Sequence, residues 1–547
     1  MLSFYKMKKI VFFTFFLIFF SSFIYGSTIA TAPYLPAQAG PQTQNAPITV
    51  QYPHEKMTVA RGAKKIFIFG QVNLPGALTL DINGETVPLH DNGAFLAYLP
   101  VQNGEFAFVL TAWNGKETVQ AVRRITVPGA DIKDFSAKAE FDPEEVFPQT
   151  PVELLPGDVI GLSVRGTPGA EVTYTLTGLN DAKNMPMKED VSSPGMYRAK
   201  YLIDDTQKAK TAKVIYKMQN GPGETEAKIT APAKIKVLNK KAPFTRAKIL
   251  SPGVKLRKIP TPRENLYPFY RAYGEVLING RLNKQYRIAL NESESAWLEE
   301  EKLKPLSSAD YKPGRVTSLR TISTDEKTRL VFVGSRQGPI SVHEFNDRLE
   351  LTFYYVNGFD ENFSFDTLSP IVDSITWSQP APDTLLFKIY FKKGTPLWGH
   401  SYNFEDSNLL LDLIHKPALT PTKEQPLKGA RILIDAGHSP RRAVPYDGAV
   451  GPTGYLEYEA NLALANELKP LLEKAGATVI MTRHGNNRMG LQARYELALA
   501  KQAHIFVSLH YNALPETINP LSRARGYSVY YNYPHSFQLA QAVYDSY

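Results

Sequence analysis

Apolar and polar residues alternate over short runs through most of the chain, and the period changes only near its end. "KKIFIFGQV", "GEFAFVLTAW" and "RRITV" have the length and spacing of half-buried strands. "ALTLDINGETVPL" sets Asn83-Gly84 between two apolar runs, which predicts a two-residue hairpin. Residues 47–128 therefore read as a small β-sandwich. "VELLPGDVIGLSVRGTPGAEVTYTL" and "GMYRAKYLI" keep the period of two between Pro-Gly turns and predict a second sandwich over 140–238. Closely spaced strands in "VKLRKIP", "YRAYGEVLI", "QYRIAL" and "SAWLEEEKL" predict a small barrel over 243–307. "TRLVFVG", "RLELTFYYV", "LLFKIYF" and "NLLLDLI" predict another β module over 316–416.

After the Pro- and Thr-rich "LTPTKEQPLKGA" the pattern switches. Ile432 to Ile434 is a short buried strand, and "YEANLALANELKPLLEKAG" follows with helical spacing. Leu464, Leu468, Leu471 and Leu472 are expected on one face, with Pro470 disturbing the helix and Gly476 stopping it. "TVIMT" and "HIFVSLH" read as strands, "GLQARYELALAKQ" as a second helix, "GYSVYYNY" as a fourth strand and "SFQLAQAVYDSY" as a further helix. Strands alternating with helices over 427–547 imply an α/β layer with a mainly parallel sheet.

The first residues add a compartment. Lys6, Lys8 and Lys9 precede an apolar run from Ile10 to Phe20, and small residues follow. That is the pattern of a secretory signal over residues 1–26, with 27–46 as linker; an uncleaved anchor is the alternative. The expected location is the periplasm or envelope of a bacterium, with membrane contact only through the signal. The chain has 547 residues and no cysteine, which excludes disulfides and a lipid-modified cysteine. Its formal charge of +9 favours polyanions in general. No basic run interleaved with aromatics is present, so nucleic acid is not an expected partner.

In parallel sheets functional groups gather beyond the carboxyl ends of strands. Only ten histidines occur in the chain, and His438 and His510 each follow such a strand. Glu457 opens the first helix after "DGAVGPTGYLE". Two imidazoles and a carboxylate make a three-ligand zinc site with one position for water, if the strands are neighbours. The residues come from three separate elements, so spacing alone leaves open a blander reading. In it, the histidines cap strand ends and Glu457 favours the helix dipole.

"ILIDAGHS", "DGAVGPTGYLE", "ATVIMTR", "LQARYELA" and "IFVSLHYNA" stand in the order of the zinc-dependent N-acetylmuramoyl-L-alanine amidases of type 3, which residues 427–547 resemble. The resemblance implies one Zn2+ ion held by His438, Glu457 and His510. It implies peptidoglycan as substrate, cut at the amide between N-acetylmuramic acid and the L-alanine of the stem peptide. An activator protein is a further candidate partner. The family's general base is a second glutamate, expected downstream of Tyr547, so the amidase unit reads as incomplete and its turnover as impaired. Glu516 is the local alternative and reads as a solvated loop residue. Some positions depart from the family. Ser439-Pro440-Arg441-Arg442 stand where two glycines are usual, and Tyr458 where a lysine is usual. Glu459 competes with Glu457, but two residues along a helix turn the side chain by about 200°, so only one can face the metal.

The fold expected is thus multidomain, with several all-β modules ahead of an α/β zinc amidase domain. The modules are Ig-like sandwiches, an SH3-like unit over 243–307 and an AMIN-like unit over 316–416. Trp297, Trp377 and Trp398 are candidate wall-binding platforms, although packing is the commoner use of large aromatics. Arg483 and Arg494 read as structural ion-pair partners rather than substrate groups. A non-catalytic wall-binding protein and a zinc carboxypeptidase are the alternatives. The second would need an arginine aimed at a terminal carboxylate.

Overall fold

The computed structural model describes residues 46–547 together with Phe16–Leu17, apart from positions 61, 130–137, 180–181, 192, 222–225, 240–243, 261–265, 307–310, 366–367, 442–446, 486, 516–517, 524–525 and 547. The signal over 1–26, save those two residues, and nearly all of the linker over 27–46 lie outside the described residues. Among the described residues no helix is long and apolar enough to cross a membrane.

The region ahead of residue 416 is almost wholly β. The strands between 48 and 127 form a three-stranded and a five-stranded sheet around Ile66, Leu80, Phe95, Phe108 and Ile125. Asn83 and Gly84 both take positive φ, 52° and 87°, and Leu80 to Ile82 pair with Glu85 to Val87. Positive φ at both central residues is what a type I′ hairpin requires. A second core gathers Leu162, Val164, Tyr197, Tyr216 and Ile235.

The β modules are joined by strand pairing as well as by linkers. Glu153 pairs with Arg281. Tyr270 and Arg271 of β1 (Leu266–Ala272) pair with Ser341 and Ile340 of β2 (Ile340–Glu344). Sixteen strands consequently belong to one hydrogen-bonded sheet that runs through three cores. Phe353 and Phe387 of this sheet meet each other edge-on, and Phe332 of the facing sheet packs tilted on the first and edge-on against the second. They fill the space between the two, and the facing sheet has five strands, among them β3 (Gly399–Glu405).

Trp297, Trp377 and Trp398 each serve packing. Trp297 is buried and lies under the Arg287 guanidinium, and Trp377 meets Phe359 edge-on. Trp398 donates from Nε1 to the carbonyl of His504 at 2.9 Å.

The last unit is a three-stranded parallel sheet. β4 (Arg431–Ala436) lies between β5 (Thr478–Met481) and β6 (Ile505–Leu509). Ile432, Leu433 and Ile434 are all buried, as a central strand covered on both faces demands. α1 (Glu457–Lys474) packs on the sheet through Ala465, Leu468 and Leu472 and runs unbroken through Pro470. Leu471, expected on the same face, is 48% exposed. The buried arc centres on Asn461, Ala465, Leu468 and Leu472, and Leu471 falls at its edge. α2 (Leu491–Ala500) buries only Arg494, leaving Leu491, Tyr495 and Leu499 exposed. The fourth strand expected in "GYSVYYNY" reduces to Ser528–Val529 and does not join the parallel sheet. α3 (Phe537–Asp545) follows a turn at Pro534–Ser536.

Candidate metal centre

Ala436 and Leu509 are register partners at the carboxyl ends of β4 and β6, and the Gly437 N–H extends the ladder by donating to the Leu509 carbonyl at 3.0 Å. His438 and His510 therefore leave the sheet side by side. Their rings meet edge-on with centroids 4.7 Å apart. Glu457, the first residue of α1, reaches between them and is 5% exposed. His438 Nε2 lies 3.1 Å from Glu457 Oε1, and His510 Nδ1 lies 3.2 Å from both of those atoms. A tetrahedral ion with bonds of 2.0–2.2 Å sets its ligand atoms about 3.3–3.6 Å apart. The three donors thus stand almost at the edges of such a polyhedron. The residues fit a zinc-sized ion in donor type, and each offers one ligand atom to a common point.

The surroundings hold that arrangement. Glu457 Oε1 accepts from the Tyr511 N–H at 2.8 Å and Oε2 from the Ala449 N–H at 2.7 Å. Burial works to raise the Glu457 pKa, but the two imidazoles and the Ala449 N–H outweigh it and keep the carboxylate ionised. Burial likewise opposes a charge on His438, and Glu457 and Asp447 overcome it, so the imidazole pKa rises. Asp447 Oδ1 lies 2.8 Å from His438 Nδ1, while Oδ2 accepts from the Ser439 N–H at 2.9 Å. That bond fixes the proton on Nδ1 and turns the Nε2 lone pair inward. His438 itself has φ of 63°, a left-handed conformation rare for a residue with a side chain and of the kind that collects at functional sites.

Two glycines keep the space open. A Cβ on Gly437 would lie 2.3 Å from His510 Nε2. One on Gly448, whose φ is 100°, would lie 2.7 Å from His438 Cδ2 and 2.8 Å from Glu457 Oε2. Glu459 faces elsewhere: Oε2 accepts from the Leu456 N–H and Oε1 from the Tyr458 hydroxyl, both at 3.3 Å.

Beneath the centre lies a buried polar network. Asp435 accepts from Thr482 Oγ1 at 2.8 Å, from Ser508 Oγ at 2.7 Å and from Arg494 Nη1. Arg494 also donates to the carbonyls of Ala436 at 3.0 Å, His438 at 2.7 Å and Met489 at 3.2 Å. It is an ion-pair partner that splints the strand leading into His438. Arg483, fully buried, donates instead to the carbonyls of Ala436, Gly437, Tyr458 and Gly485. Arg441 is exposed; Arg442 and Glu516 lie outside the described residues. Sequence reasoning assigned no role to Asp447 or Asp435. An acid nine residues after the first histidine was the visible signal for Asp447, and only the fold shows that it turns back to the ring.

An α/β unit with two imidazoles and a carboxylate converging beyond its strand ends has the donor set of a hydrolytic metal centre. Residues 432–547 match the N-acetylmuramoyl-L-alanine amidase family. Similar proteins include N-acetylmuramoyl-L-alanine amidase LytC of Bacillus subtilis, 32% identical over 120 residues, which are 22% of this chain and 23% of that protein. The probable cell wall amidase LytH of Staphylococcus aureus is 34% identical over 22% of this chain and 38% of its own length. The protein YqiI of Bacillus subtilis is 35% identical over 16% of this chain and 41% of its own length. The chain thus spans less than half the length of each of these relatives. Among solved structures, a chimeric titin Z1Z2 aligns over 35% of this chain and 97% of its own, at 15% identity and a TM-score of 0.19. That TM-score carries no argument, and the β architecture stands on the strand pairing.

Proposed function

We propose that this chain is an exported, zinc-dependent cell-wall amidase acting on peptidoglycan at the bond between N-acetylmuramic acid and L-alanine. The observation that carries the reading is the mutual 3.1–3.2 Å spacing of His438 Nε2, His510 Nδ1 and Glu457 Oε1. The family match over 432–547 and the names of the relatives support the substrate class.

The chemistry that a zinc ion supplies in such a site is Lewis acidity toward a carbonyl oxygen and toward water. His438, His510 and Glu457 hold the ion. Asp447 keeps the His438 ring in the tautomer that presents Nε2. The N–H groups of Tyr511 and Ala449 fix the Glu457 carboxylate, so it does not swing away as an amide substrate enters. His438 and His510 side chains remain 25% and 18% exposed, which gives the substrate carbonyl a face to approach. Hydrolysis forms a bond from the water oxygen to the carbonyl carbon and breaks the bond from that carbon to the L-alanine nitrogen, which takes up the water's proton as it leaves.

The test is digestion of purified peptidoglycan by the purified chain supplied with zinc. The expected products are stem peptides with a free L-alanine amino group and no new reducing sugar ends, and His438→Ala abolishes them. A purified chain that retains no zinc, digestion that yields new reducing sugar ends, or release that survives His438→Ala overturns the reading.

A further inference from the structure

A second trio of donors lies where the last β module meets the amidase unit. Glu344 ends β2, His400 is the second residue of β3, and His535 sits in the turn before α3. Their ligand atoms all lie within 4.8 Å of one another. Glu344 Oε2 is 2.8 Å from His535 Nδ1 and 3.3 Å from His400 Nδ1. Glu344 Oε1 accepts from the His535 N–H at 2.7 Å. The side chains of Glu344 and His400 are both 2% exposed and that of His535 is 15% exposed.

A His–Glu–His hydrogen-bonded trio is the simpler account, and one atom argues against it. His400 Nδ1 is buried and makes no hydrogen bond, although a carboxylate oxygen stands 3.3 Å away. The two atoms stand close without the geometry of a hydrogen bond. Leaving a buried polar atom unsatisfied is destabilising. An ion shared with Glu344 Oε2 and His535 Nδ1 would satisfy it, because a ligand lone pair must aim at a common centre and not at a neighbouring ligand. Like the first centre, the trio has a buried glutamate held by backbone N–H donation and two imidazoles, although Glu457 has both oxygens so held and Glu344 one. Tyr533 stacks on His535 at 5.5 Å and meets His400 edge-on at 5.0 Å, walling the trio with aromatic surface.

We propose that Glu344, His400 and His535 form a second metal site, which binds a divalent transition ion of the zinc class and ties the β module to the amidase unit. Two nitrogens and one oxygen suit zinc, whereas calcium and magnesium take oxygen ligands. The proposal does not rest on the first centre.

The experiment loads the full chain with Zn2+, removes loose metal by dialysis and counts bound ions per chain. Glu344→Gln and His400→Ala should each hold one ion fewer than the parent. His438→Ala should also hold one fewer, and the His400→Ala/His438→Ala double variant two fewer. Zn2+ added to chelator-treated parent should slow hydrogen exchange in the segments around 399–405 and 531–537, and should not do so in His400→Ala. His535→Ala, on a surface turn, repeats the count where folding of the buried variants is in question. Equal ion counts in the parent and all three variants of the trio overturn the proposal, and so does Zn2+-induced protection that persists without His400. Failure of the first centre reads differently, as His438→Ala losing nothing.

Discussion

Arg494→Met tests whether the network under the metal centre holds the strand that presents His438. The arginine and Asp435 side chains are each 6% exposed, so the pair is out of water. The variant removes the ion pair and the donations to the carbonyls of Ala436, His438 and Met489. Methionine fills much of the volume, so the loss is electrostatic more than steric. Asp435 keeps the hydroxyls of Thr482 and Ser508 but becomes a buried, unpaired carboxylate. Breaking a buried pair from one side destabilises by about 3–5 kcal/mol. At about 1.4 kcal/mol per factor of ten, amides of β4 and β6 should exchange about 10²–10⁴-fold faster in the variant. Hydrogen exchange read by mass spectrometry over 431–438 and 505–510 measures this directly. Adding Asp435→Asn should restore part of the protection, because it neutralises the orphaned charge. Protection within tenfold of the parent in Arg494→Met, or a double variant worse than the sum of its singles, would refute the reasoning.

Asp447→Ala should weaken zinc at the first centre by about 10–100-fold, the usual effect of losing a group that orients a ligand; competition with a chromophoric chelator measures it. Gly448→Ala places a methyl within 2.8 Å of Glu457 Oε2 at a φ of 100°, so it should lose the same ion while the β modules keep their circular dichroism. In chelator-treated protein, Glu344 is depressed from 4.5 to about 2, so its stabilisation is complete above pH 4.5 and is lost as pH falls toward 2. The difference of 4.5 − 2 corresponds to about 3 kcal/mol at most. Acid denaturation between pH 5 and 2 should therefore be less steep in Glu344→Gln, and identical curves would count against the interface.

Local chemistry was the legible part of the sequence. Asn83-Gly84 fixes a hairpin because only a few residues accept positive φ at both positions, and the structure places them there. The buried run at Ile432–Ile434 marked the central strand, since continuous apolar residues suit a strand covered on both faces. The convergence of 438, 457 and 510 was not contained in their spacing; it came from family resemblance, because the strand order β5-β4-β6 does the bringing together. Where the signal was amphipathic rather than continuous it misled. Leu471 has helical spacing yet lies at the rim, and the aromatic run near 530 offered strand propensity without a neighbour in the parallel sheet. Residues 344, 400 and 535 sit on three distant elements with no periodicity to link them, so nothing short of the fold reveals that trio.

The hydrogen bond from the Trp398 indole to the His504 carbonyl supplies a built-in optical reporter. The protein has four tryptophans, and none falls in the last 120 or so residues, yet this one touches them from across the boundary. Its emission should shift when the two parts separate. Undocking can therefore be followed on the unlabelled chain, with Trp398→Phe as the silent control.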